Sequence, residues 1–105
     1  MATPKILIPK DEIAAFCEKW LIVELSLFGS VLRDDFRPDS DVDVMVSFAP
    51  SAEPSLFDHA EMQDELEALF GRKIDLVTRH GIESSSNLLR RNSILSGAEA
   101  IHVAG

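Results

Sequence analysis

The segment "LFGSVLRDDFRPDSDVDVMVSF", Leu27–Phe48, decides the reading of this chain. It opens as an apolar run, breaks at Gly29-Ser30, and resumes at Asp41 with aspartate and valine alternating. Successive side chains of a strand point to opposite faces. Asp41 and Asp43 therefore share one face, while Val42, Val44, Val46 and Phe48 share the other. At about 3.3 Å rise per residue, the two aspartate Cα atoms stand roughly 6.5–7 Å apart. Carboxylates held this close repel one another unless a cation lies between them. The ions of a two-metal site sit about 3.5–4 Å apart, a gap these side chains can bridge. Mg²⁺ takes hard oxygen ligands of this kind.

Upstream, Gly29 follows a short strand expected over Glu24–Phe28, and "VLRD" can open a short helix with Ser30 near its start. A glycine there lets a phosphate approach the backbone, and a serine hydroxyl beside exposed N–H groups can donate to it. Downstream, "KIDLV" places a third carboxylate, Asp75, inside an apolar strand. A charge in that position must be paired, solvated or metal-bound.

The remaining chain alternates helices with strands. Pro9 and Asp11 are start signals for an amphipathic helix over about residues 10–20, carried by Ile13, Phe16, Trp20 and Leu21. Pro38, Asp39 and Ser40 form a turn before the strand Asp41–Phe48, and "APSAEPS" is a loop. Met62, Leu66, Leu69 and Phe70 mark a second helix that Gly71 closes. A strand over Lys73–Thr78, a polar turn at "HGIESSSN", a helix over Asn87–Leu95 and a short edge strand at "AIHVA" complete the chain. The expected fold class is α/β (α+β): one domain over residues 1–105, with a small mixed sheet and helices packed on it.

Composition narrows the function. The chain has 105 residues, of which 46% are hydrophobic, and no apolar run approaches the roughly 20 residues of a membrane span. A secretory apolar region is not visible at the start, and a single cysteine, Cys17, excludes an internal disulfide framework. A cytoplasmic protein that does not bind a membrane is expected. Eighteen acidic against ten basic residues leave a net charge of −8. With no basic stripe to follow a phosphate backbone, direct nucleic-acid binding is not expected.

Competing readings of the acidic run fare worse. An EF-hand loop beginning at Asp39 would need Gly at position 44 and Glu at position 50, where this chain has Val44 and Pro50. A nucleophile elbow at Ser30 would need Gly-x-Ser-x-Gly, with glycines two residues before and two after the serine, but the surroundings are Phe28-Gly29-Ser30-Val31-Leu32. A capping role suits Asp41 alone. It does not account for Asp43, Asp75 and Gly29-Ser30 together. The other polar residues are ordinary: Arg37 is a surface guanidinium, Cys17 a packing residue, and His59, His80 and His102 lack ligand spacing. Trp20 and the phenylalanines fit the core, and the acidic positions Glu61–Glu67 read as a solvated helix face.

Gly29-Ser30, ten intervening residues, Asp41-Val42-Asp43 and a later Asp75 resemble the DNA polymerase β-like nucleotidyltransferases, and within them the minimal nucleotidyltransferases (MNT). The resemblance covers nearly the whole chain. It implies that Gly29 and Ser30 hold a triphosphate, with Arg33 as a further nucleotide contact. It implies that Asp41, Asp43 and Asp75 are catalytic and metal-binding residues, with two Mg²⁺ ions as cofactors and ATP as substrate. Relatives often read Gly-Ser-x-Ala-Arg-Gly; here Asp34 stands in place of the last glycine. The resemblance further implies AMP transfer to a hydroxyl of a HEPN-domain protein, as the antitoxin of a HEPN/MNT toxin–antitoxin pair. Two other functions fit the same residues: a nucleotide- or partner-binding subunit with little catalysis, and transfer to a small molecule. Homo- or hetero-oligomers are compatible with all three.

Overall fold

Short-range preferences place most of the elements. The computed structural model describes residues 8–32, 36, 37 and 40–104. Helix α1, Lys10–Trp20, starts with Asp11 and Glu12 and carries Lys19 in its last turn, charges that suit the helix dipole. It buries Ile13, Phe16 and Cys17 along one face. Leu21 closes it in the left-handed region, at φ 59° and ψ 40°, and its N–H donates to the carbonyls of Cys17 and Glu18. The chain then runs directly into β1, Ile22–Phe28, two residues earlier than apolar alternation suggests. A bulge between Ile22 and Glu24 hides the period there.

A 3-10 turn, Gly29–Leu32, follows β1 and leads towards β2, Val42–Phe48. Helix α2, Leu56–Phe70, crosses over to β3, Ile74–Thr78, as a parallel neighbour requires. The segment expected to be a polar turn instead contains a helix, α3, Arg79–Glu83. The Thr78 side chain accepts the Gly81 N–H at 3.0 Å, and Ile82 is buried. Five residues with one apolar anchor are too few to show a helical period. Helix α4, Leu88–Gly97, is capped by Asn87, and β4, Glu99–Val103, is the expected edge strand.

The sheet order is β3-β2-β1-β4. β1 is antiparallel to both β2 and β4, while β2 and β3 are parallel, which makes the sheet mixed. One face carries Leu25, Leu27, Val42, Val44, Val46, Ile74 and Leu76 against Ile13 and Phe16 of α1 and Met62 and Leu66 of α2. Cys17 is fully buried in this layer, and its burial pushes the thiol pKa up to about 11. It packs, as expected. The opposite face is covered too: Phe28 and Met45 meet Ile82 of α3 and Ile94 of α4 in a second, smaller core.

Two expectations about side chains change. Among the phenylalanines, Phe57 is 88% exposed and belongs to no core. Positions 61–67 are more than a solvated face, since Glu65 pairs with Lys19 at 2.9 Å and Glu67 accepts the Ile74 N–H at 3.2 Å.

Candidate active site

The site lies where β1, β2 and β3 reach the same level of the sheet. Phe28 pairs with Asp43, and Asp43 pairs with Asp75, so three neighbouring strands are in register. Val42 and Ile74 before this row, and Val44 and Leu76 after it, point into the main core. Alternation then sends both aspartates to the opposite face. Adjacent strands lie about 4.8 Å apart, which puts the two carboxylates within mutual reach. Asp43, on an inner strand, is half-buried, while Asp75 is exposed on the sheet edge.

Gly29 follows Phe28 and brings the 3-10 turn to the end of this row. Its φ of +77° is a left-handed conformation that glycine accepts at no steric cost. A Cβ on Gly29 would collide with the Asp43 carboxylate, which rests against the glycine. The glycine is needed for the carboxylate's position as well as for the turn.

Gly29, Ser30, Asp43 and Asp75 all line one pocket of about 510 Å³. Its opposite wall is α4, which contributes Arg90, Ser93, Ile94 and Gly97. These positions recur at helical spacing and so form a single stripe. Ile94 fixes that stripe over the sheet by packing on Phe28 and Met45. None of the four was singled out from sequence. The stripe itself was the available signal, but nothing local shows that it faces carboxylates from earlier segments.

Asp41 sits immediately before β2, exposed, and does not line the pocket. Among the described residues, no three Asp, Glu, His or Cys side chains converge as a metal cluster. Arg33 lies outside the described residues, as do Pro38 and Asp39 of the expected turn. Around that turn, the Ser40 N–H donates to the Arg37 carbonyl at 3.0 Å, and the Arg37 N–H donates to Ser40 Oγ at 3.1 Å.

A supporting set of contacts positions the acidic strands. The Val42 N–H donates to the Lys73 carbonyl at 2.9 Å, which ties the starts of β2 and β3 together. Arg72 reaches the Ser40 carbonyl at 3.4 Å and stacks 4.7 Å from the centre of the Phe36 ring, bracing the segment that leads to Asp41. Glu67 holds the Ile74 N–H, one residue before Asp75.

The donor set suits Mg²⁺. That ion binds through one or two carboxylates, completed by water and substrate phosphates, without needing a closed protein cage. Asp43 and Asp75 supply two carboxylates at the wall of a cavity large enough for a nucleotide's phosphates.

Residues 12–101 match the nucleotidyltransferase domain family. Over 67 residues the chain is 39% identical to the protein adenylyltransferase MntA of Thermococcus cleftensis, covering 64% of this chain and 66% of that relative. The chain thus spans slightly less than two thirds of that relative's length. A solved structure assigned to the minimal nucleotidyltransferases is 32% identical, with a TM-score of 0.66 over 86% of each chain. A complex of a tri-AMPylated Shewanella oneidensis HEPN toxin with its MNT antitoxin is matched at TM-score 0.57 and 19% identity, over 87% of this chain and 66% of that chain. At that identity the likeness is one of fold. The family match begins in α1 and ends in β4, and the chain therefore belongs to the nucleotidyltransferase domain family, as a minimal nucleotidyltransferase of the DNA polymerase β-like superfamily.

Proposed function

We propose that this chain transfers AMP from Mg·ATP to a hydroxyl of a HEPN-type partner protein, as the antitoxin of a toxin–antitoxin pair. The observation that carries the reading is the register pairing of Asp43 with Asp75 beside Gly29-Ser30 in one pocket. The Thermococcus cleftensis relative, a protein adenylyltransferase, supports the reaction type. The Shewanella oneidensis complex supports the class of partner.

Gly29 and Ser30 bind the polyphosphate, the glycine by permitting close approach and the serine by donating its hydroxyl. Asp43 and Asp75 hold the divalent ion, with Asp41 two residues upstream as a further carboxylate. Bound there, Mg²⁺ supplies charge neutralisation on the triphosphate and polarises the α-phosphoryl group. The exposure of Asp75 on the sheet edge gives an acceptor access that the half-buried Asp43 does not have. The acceptor oxygen forms a bond to the α-phosphorus as the bond from that phosphorus to the bridging oxygen breaks. Pyrophosphate leaves with the electron pair, and the hydroxyl proton passes to the Asp75 carboxylate.

Incubation with ATP labelled on the α-phosphate, Mg²⁺ and the product of a neighbouring HEPN gene tests this. Label should move to the partner with the wild-type chain and fall by at least about 100-fold with Asp75→Asn, a loss within the usual range for general bases. Label on a small hydroxyl compound in place of the partner would move the assignment to small-molecule transfer.

A further inference from the structure

The pocket gathers negative charge. Asp43 and Asp75 are both acidic, the chain carries −8, and a triphosphate adds several more negative charges. Divalent ions bound at the carboxylates would neutralise the nucleotide from the sheet side. Among the described residues, one cationic side chain lines the pocket, and that is Arg90 on the opposite wall.

We propose that Arg90 binds the phosphate tail of the nucleotide from the α4 side, opposite the carboxylates. The inference rests on the adenylyl-transfer reading above and assigns that site a residue that the Gly-Ser and Asp-x-Asp pattern does not contain.

Three features of the helix support it. Arg90 stands one turn before Ile94, whose packing on Phe28 and Met45 fixes α4 over the sheet. The turn that bears it is anchored, since the Arg90 N–H donates to Asn87 Oδ1 at 3.1 Å. The guanidinium is exposed and makes no hydrogen bond or ion pair among the described residues. Arg79, by contrast, is committed to Glu24 at 3.3 Å and Glu83 at 3.1 Å. A planar guanidinium offers paired donors that match phosphate oxygens, which an ammonium group does not. Ser93 and Gly97, the small residues of the same stripe, leave the wall open beside it.

Calorimetric titration of the full chain with three probes tests the assignment: Mg·ATP, Mg·tripolyphosphate and adenosine. Arg90→Gln should weaken Mg·ATP and Mg·tripolyphosphate by about 10- to 100-fold, the range for lost hydrogen bonds to charged groups. Adenosine binding should stay within about twofold, because it has no phosphate to lose. Arg90→Lys, which keeps the charge and loses the fork, should fall between wild type and Arg90→Gln. The melting temperature of both variants should match wild type. If Arg90→Gln bound Mg·ATP within about twofold of wild type, or lost adenosine to the same degree, the assignment would be wrong and the adenylyl-transfer reading would stand. Failure of the wild-type chain to bind Mg·ATP at all would overturn both.

Discussion

Gly29 carries two constraints at once, a left-handed backbone and the Asp43 carboxylate lying where a Cβ would be. A side chain at that backbone conformation costs about 1–2 kcal/mol, before Asp43 has moved at all. Gly29→Ala should therefore lower the melting temperature by on the order of 5–10 °C, as scanning calorimetry would show. Transfer activity should fall further than stability does, because the displaced carboxylate is the one proposed above to hold the divalent ion. A melting temperature equal to wild type would mean that the turn relaxes freely and that Gly29 does not position Asp43. Much at this scale was legible in the sequence. Gly29, Ser30, Asp43 and Asp75 belong to a spacing pattern, and the pocket brings all four together. Arg90, Arg72 and Glu67 were not legible. Arg72 reaches back to Ser40, Glu67 holds a backbone N–H seven residues on, and Arg90 lines a pocket whose other walls come from earlier segments; a single arginine or glutamate carries no local sign of such a placement. Asp41 marks the boundary between the two groups, since its spacing suits the pattern while its side chain stands outside the pocket wall.

Helix α2 matters to the site because it carries β3, and with it Asp75, to the side of β2. Its start is a capping box: the Asp58 N–H donates to Ser55 Oγ at 3.1 Å, and the Ser55 N–H donates to the Asp58 carboxylate at 2.9 Å. Gly71 ends it at φ 68°, with its N–H bonded to the Glu67 carbonyl. Ser55→Ala should cost about 1 kcal/mol, a drop of roughly 4–8 °C in melting temperature, with transfer unchanged well below the transition. A loss of activity without a loss of stability would place Ser55 in the site instead of in the scaffold. The strands and long helices were readable because each repeats an apolar period over several turns or alternations. β1 began two residues early because its bulge disturbs the alternation. α3 stayed hidden because its identity rests on one cap, Thr78, and one buried residue, Ile82. The second core escaped notice for a related reason: Phe28, Met45, Ile82 and Ile94 come from four separate elements, and none of those elements announces the others.

The whole molecule places a mixed sheet between two helical layers and leaves a pocket at one end of the Asp43 face. α1 and α2 close the main core; α3 and α4 close the second, and α4 ends as the far wall of the pocket. Asp43 and Asp75 thus stand on strands, while the facing wall of the pocket is a separate helix. Asp75 lies on an edge strand, so a macromolecular acceptor can approach without entering the cavity. No described helix is long and apolar enough to cross a membrane. The chain contains no tyrosine, so a tyrosine acceptor hydroxyl must come from another molecule. The most direct test of the central claim is the intact mass of the HEPN-type partner after incubation with this chain, ATP and Mg²⁺, alongside the same incubation with Asp43→Asn. The account predicts one or more added AMP units with the wild-type chain and an unmodified partner with the variant. An unmodified partner in both, or equal modification by Asp43→Asn, would contradict it.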